Sequence, residues 1–250
     1  MQNSKAKNCT RNLNLPMKKL QKITTILLII FFTSCKREMT DIEFEKNVLT
    51  EIFPTLVDSV CVDCRIMTHP PPIIGEAIYD KNGKYLKTDS LKATKDEKLK
   101  YEKWKAYINE IKRDTSKLII AFVPELRKIR DSVKSDFEKH FPKVKLNETK
   151  NGNETIYDFD FSKIKLNNKF ELKNLNEFPK ERHAIWYTKY NFVFSGILDF
   201  TRIQFDQTKH FGVLDADFGC GGNGGKGYRI YIKKVKDKWI IDKIVRTWVS

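Results

Sequence analysis

The chain reads as a single α+β domain, an antiparallel sheet ending in a C-terminal four-stranded meander with helices gathered mainly on one face. Three observations predict it. Phe192–Phe205, Phe211–Phe218, Tyr228–Val235 and Trp239–Trp248 are β-rich runs joined by short turns. Phe44, Val48, Leu49, Ile52, Phe53, Leu56, Val57 and Val60 recur at helical spacing. Long helices and consecutive strands occupy separate parts of the chain, so helices collect on a sheet rather than alternate with its strands.

In chain order, Glu43–Val60 is an amphipathic helix. Pro54 inside it lacks the N–H that would bond to residue 50, so a kink or division is expected there. Cys61-Val-Asp-Cys64 follows, then Pro70–Pro72, which must be extended. Asp80-Lys-Asn-Gly83 is a tight turn between Ala77–Tyr79 and Tyr85–Leu86. Leu91–Arg113 is a highly charged helix whose apolar stripe is Tyr101, Trp104, Ile108 and Ile111. Lys117–Val123 is short and apolar between breakers, as a buried strand requires. Pro124 is expected to open a helix reaching His140, with Pro142 as its stop. Asn151-Gly152 marks a turn, and Thr155–Phe161 alternates as a half-buried strand. Lys169–Phe178 is a further short element, and 147–182 carries no helical pattern. In the first meander strand, Leu198 and Phe200 share one parity while Ile203 and Phe205 take the other. A bulge near Thr201-Arg202 reconciles them. Lys236-Asp-Lys238 turns the last hairpin. The helix-plus-curved-sheet outline is similar to the NTF2-like cone, whose open end holds small molecules; that is fold analogy alone.

The first 34 residues carry six basic residues and no acidic one, and Ile26–Phe32 is continuously apolar. A basic segment before a short apolar run has the layout of a secretory signal, and the run is too short to span a bilayer. Met17-Lys-Lys is the more natural start, since 1–16 add nothing to a signal. Phe32-Thr-Ser-Cys35 resembles the lipobox of bacterial lipoproteins, in which the Cys is acylated after cleavage before it. Phe32 stands where Leu is more usual. The organisation expected is therefore a signal peptide at 1–34, a lipidated Cys35 with a tether to 42, and one globular domain over 43–250. Two or more acyl chains hold a protein stably at a membrane. Without 1–34 the formal charge falls from +15 to +9, spread along the chain with no arginine-rich block and no nucleic-acid motif.

Cys9 leaves with the signal and Cys35 goes to lipid, so Cys61, Cys64 and Cys220 remain for disulfide pairing in an oxidising compartment. One must stay unpaired or pair outside the chain. Either Cys61 and Cys64 bond to each other or one of them bonds to Cys220. A thioredoxin-like redox role for Cys61-X-X-Cys64 lacks its strand-to-helix context. Zinc at Cys61, Cys64 and His69 lacks a fourth ligand.

Asp215-Ala-Asp217-Phe-Gly-Cys220-Gly-Gly-Asn-Gly-Gly-Lys-Gly227 is the most unusual stretch. Alternate Asp side chains share a strand face, and a Gly-rich turn lets carbonyls approach an ion such as Ca²⁺. The later acidic ligands of an EF-hand and the Lys-Ser/Thr of a P-loop are absent, so a wide hairpin whose glycines supply positive φ is the favoured reading. Asp215, Asp217 and Arg202 stand as ligand candidates, with Arg202 mid-strand beside the inferred bulge and within reach of Asp199. A His183/Asp/Cys220 nucleophilic set has nothing to fix its geometry. Tyr101/Trp104/Ile108 and Trp186/Tyr187/Tyr190 read as core or as a ligand groove.

Two groups of segments look familiar together. The first runs from Ile52-Phe-Pro-Thr-Leu-Val-Asp-Ser to Pro70-Pro-Pro72 and on to Asp114-Thr-Ser-Lys-Leu-Ile-Ile-Ala. The second comprises Phe200-Thr-Arg-Ile-Gln-Phe205, Cys220-Gly-Gly-Asn-Gly-Gly, Trp239-Ile-Ile and Trp248-Val-Ser250. The chain resembles a family of small uncharacterised lipoproteins of Bacteroidetes, mainly flavobacteria. The resemblance implies a lipid-anchored envelope location; the family has no established activity, so it says nothing of mechanism. Relatives often carry a second Cys in the Gly-rich turn, where Asn223 stands here. The expectation is a non-catalytic binding or interaction module anchored in the cell envelope, with no cofactor, no metal and no nucleic acid. Its partners would be the membrane and an envelope protein or small ligand. The alternative is an envelope enzyme, or a Ca²⁺- or small-ligand-binding protein, using 215–227.

Overall fold

A computed structural model of the chain describes residues 39–128, 133–147, 156–166, 169–181, 183–222 and 224–250. The signal segment, Cys35 with its tether up to residue 38, the Asn151-Gly152 turn, Arg182 and Asn223 lie outside these residues.

Helix α1 (Asp41–Val60) runs unbroken through Pro54. The carbonyl that loses its donor belongs to Thr50, which is exposed to water, so no division follows. Helix α2 (Cys64–Met67) is capped by Asp63. A separate hairpin, β1 (Glu76–Tyr79) and β2 (Tyr85–Asp89), closes through the Asp80–Gly83 turn. Helix α3 (Lys95–Arg113) starts four residues later than its pattern predicts. Thr94 and Glu97 form a reciprocal capping box there, and Ser90–Lys92 is a 3₁₀ turn of its own.

The main sheet has seven strands: β3 (Leu118–Phe122), β6 (Phe170–Asn174), β7 (Val193–Phe200), β8 (Gln204–Phe205), β9 (Phe211–Gly219), β10 (Gly225–Val235) and β11 (Lys238–Val249). Its order is β11-β10-β9-β7-β3-β6, with β8 also on β9. The meander β7-β9-β10-β11 is antiparallel as expected. The sheet as a whole is mixed, because β3 lies parallel to both β6 and β7. Every residue of β3 is buried, as befits a strand covered on both faces. Phe200 faces Ala216 and Gln204 faces Val213, so three residues oppose two across Thr201–Ile203 and the expected bulge is present.

The stretch expected as one helix from Pro124 to His140 is different. Glu125–Leu126 forms β4 against Tyr157–Asp158, which is β5, and the Pro124 carbonyl accepts from Phe159 N. Among the described residues of the stretch, only Val133–His140 is helical (α4). Leu126 is fully buried, and pairing with β5 wins over local helix preference.

Helices are not confined to one face. Face one buries α1 against Ile120, Phe122, Leu198, Phe200, Leu214, Phe218, Ile230 and Ile232. Phe53 sits at the centre, its ring 5.4 Å from Phe122, 5.4 Å from Phe159 and 5.6 Å from Phe200. Face two is covered at one end by α4, through Val133 and Phe137 on Val213 and Tyr231. At the other end Phe178 and Ile185 pack on Ile119 and Ala121, the latter pair from β3. Ile185 belongs to α5 (Ala184–Tyr187). The second layer follows from period 2: side chains alternate faces along every strand, and face two is too apolar at its ends to meet water.

Candidate functional site

The middle of face two is polar, and its rows can be built from register alone. Asp199 stands opposite Asp217, Asp217 opposite Gly227, and Gly227 opposite Trp248. Two carboxylates directly across a strand pair repel. Arg127, from the segment after β4, resolves this by donating to Asp199 and, at 2.9 Å, to Asp217. Burial works against the Arg127 charge; the two carboxylates overcome it and hold its proton more tightly than usual. Gly227 has no side chain, so the Trp248 indole lies across it and donates to Asp217 at 3.0 Å. A Cβ at Gly227 would sit 1.8 Å from the indole nitrogen.

The next row pairs Asp215 with Arg229. Both are almost fully buried, and the guanidinium grips the carboxylate with two hydrogen bonds, 2.9 and 3.1 Å. Its third arm reaches Asp136 on α4. In the row beyond, His140 stacks on Tyr231 at 4.1 Å and meets Asp242 at 2.7 Å; Lys233 meets the other Asp242 oxygen at 2.6 Å. Burial alone would raise the Asp242 carboxyl. The hydrogen bonds from Lys233 and His140 outweigh it and leave the group below the usual carboxylate range.

Strand β11 carries two irregularities, between the partners of Gly227 and Tyr228 and between those of Tyr231 and Ile232. The residues skipped in the register are Thr247 and Asp242. These bulges change which side chains meet face two, as bulges beside functional sites do. A cleft of about 280 Å³ opens here, lined by Asp136, Lys139 and His140 of α4, Arg229 and Tyr231 of β10, and Lys243, Val245 and Thr247 of β11.

The residues singled out in the sequence go to different places. Asp215 and Asp217 share face two, each held by an arginine. Arg202 is in the core, 2 % exposed, bonded to Glu45 of α1 at 2.5 Å and lying 4.7 Å over the Tyr157 ring. Glu45 also accepts from Ile203 N at 2.7 Å, so it satisfies the bulge backbone. Burial pushes the Glu45 carboxyl up, and the Arg202 hydrogen bond opposes the rise. Cys64 bonds to Cys220, 156 residues away, and Cys61 is a free buried thiol that burial pushes well up. Cys220 therefore offers no thiol to the His183 set. His69 faces Tyr107 and bonds to the Arg65 carbonyl, away from zinc duty with a disulfide-bound Cys64. Trp186 and Tyr190 pack around Phe194, whereas Trp104 stacks on Tyr101 and donates to the His69 carbonyl. No ring contact among the described residues joins the two sets. No group of three or more His, Cys, Asp or Glu among the described residues is placed to hold a metal ion.

Sequence reasoning missed Arg127, Asp136, His140, Arg229, Tyr231 and Trp248. One signal was available: with Gly219–Gly225 as the turn, the hairpin places Asp215 opposite Arg229. The bulges of β11 and the approach of α4 leave no sequence mark. No known family model, curated protein or solved structure matches the chain. No helix among the described residues is long and apolar enough to cross a membrane.

Proposed function

We propose that the protein is a lipid-anchored cell-envelope protein, exported on its 1–34 signal, acylated at Cys35 and held at the outer membrane. Its globular part acts by binding an envelope partner or a small ligand rather than by catalysis. The observation that carries the export reading is the Cys64–Cys220 disulfide, a bond that persists outside reducing compartments. It agrees with the basic-then-apolar leader and with the Cys that closes it.

Binding is favoured over catalysis because the reactive groups of 215–227 are engaged. Cys220 is in the disulfide, Asp215 is gripped by Arg229, and Asp217 is shared by Arg127 and Trp248. These carboxylates would have to give up guanidinium partners to take Ca²⁺, which needs six to eight oxygens. The NTF2-like analogy would put a ligand between helix and sheet. That space holds Phe53, Phe122, Phe159 and Phe200, which moves the small-ligand reading to the face-two cleft. Fractionation tests the proposal. The wild type should sediment with membranes and carry an acylated N-terminal Cys35 by mass spectrometry. Cys35→Ala should be released or left unprocessed; quantitative recovery of Cys35→Ala in the membrane fraction refutes the anchor.

A further inference from the structure

The face-two cleft has an imbalance of donors over acceptors. Of its lining residues, Lys139, Arg229 and Lys243 are cationic and Asp136 alone is acidic. Asp136 is already bound to Arg229. The neighbouring Asp242 is bound to Lys233 and His140. Lys139 reaches Asp136 only at 3.9 Å, from an exposed side chain. Lys243 and Thr247 are exposed as well, and neither they nor the Tyr231 hydroxyl have a hydrogen-bond or ion-pair partner among the described residues. Tyr231 is the informative one. It is 5 % exposed, its ring clamped by His140 and Phe141, yet it lines the cleft. The Tyr231 ring is nearly buried while its hydroxyl stays open to the cleft, free to donate to a molecule there. Burial first, then the Asp136 charge, raises its pKa, so it keeps its proton and is a donor at neutral pH.

We propose that this cleft binds a small molecule through a phosphate or carboxylate group, held by the Lys243 ammonium and the Tyr231 and Thr247 hydroxyls. Val245 and the Tyr231 ring give the cleft an apolar side against which the carbon part of a ligand can pack. At about 280 Å³ the space suits a small organic anion rather than a chain segment. Lys243, Val245 and Thr247 share one strand face by simple alternation, and the bulge at Thr247 adds Trp248 to that face opposite Gly227.

The inference rests on the reading of the domain as a binding module and not on its lipid anchor. Titration calorimetry of the full-length protein with inorganic phosphate, and separately with citrate, tests it. Ionic strength is matched with KCl, because surface charge alone responds to salt. Saturable binding of at least one probe is expected, and the two arms tell phosphate from carboxylate. Lys243→Ala and Tyr231→Phe should each weaken it about tenfold, the size of a lost hydrogen bond to a charged group. Thr247→Val should weaken it too, and Lys84→Ala on the remote hairpin should not. No saturable binding of either probe up to about 10 mM overturns the proposal. So does binding that ignores Lys243→Ala and Tyr231→Phe. Either failure removes the cleft as a site; a failed Cys35 fractionation removes the envelope reading and leaves the cleft untouched.

Discussion

Removing the Cys64–Cys220 bond should be among the most costly changes the domain can suffer. The bond ties α2 to the turn that ends β9, across 156 residues of chain. In the chain-entropy model a loop of that length, once freed, lowers stability by about 5 kcal/mol. The native side changes little: Cys64 N still donates to Ser195 Oγ at 3.0 Å, and Ser195 Oγ to the Val62 carbonyl at 3.1 Å. The loss therefore arises in the unfolded ensemble. Alanine is the replacement to use, because Cys220 is 1 % exposed and a serine hydroxyl would add its own burial cost. The assay is guanidinium unfolding followed by tryptophan fluorescence. Cys64→Ala/Cys220→Ala should lose about 3–5 kcal/mol, about 10 °C or more in Tm, with a larger m-value as the unfolded chain expands. Reductant should bring the wild type to the same midpoint and leave the double variant where it is. Cys61→Ala should keep the wild-type response to reductant. A loss under about 1 kcal/mol, or a reductant effect that persists in the double variant, refutes the reasoning.

Other substitutions test the two faces. Gly227→Ala should cost about 2–4 kcal/mol in denaturant unfolding by evicting the indole from Asp217; in a Trp248→Ala background the same change should be neutral or slightly stabilising. Arg202→Met strands Glu45 in the core and should cost about 3–5 kcal/mol at pH 7. Because an unpaired Glu45 is relieved by protonation, the deficit should shrink as pH falls towards its ordinary range, and adding Glu45→Gln should recover much of it. Burial pulls the Asp206 carboxyl up, but the Thr208 hydroxyl and the backbone N–H groups of Phe211, Thr208 and His210 donate to it and hold it below the usual range. Its stabilisation is thus complete above about pH 4 and lost as pH falls through the depressed value. Asp206→Asn should cost about 1–3 kcal/mol at pH 7 and converge with wild type in acid.

Much of the fold was legible because its signals are local. The α1 stripe, the β3 apolar run, the four meander strands, the Thr201-Arg202 bulge and the last hairpin turn each follow from periodicity or turn chemistry over about ten residues. The capping box at Thr94 and Glu97 was equally local and marks where α3 begins. The stretch after Pro124 misled because its helical pattern belongs to Val133–His140, while Glu125–Leu126 answers to β5, some 30 residues further on.

What the sequence by itself determined is the α+β class, the antiparallel meander and the bulge at Thr201-Arg202. Only the tertiary structure decided that β3 lies parallel between β6 and β7, that Cys64 rather than Cys61 bonds to Cys220, and that face two carries the candidate site. That site draws on α4, β10 and β11, with Arg127 arriving from a fourth segment. Pairings at such separations depend on which strand edge is free when the sheet closes and on which buried charge finds its counter-charge. Neither is written in the spacing of residues along the chain.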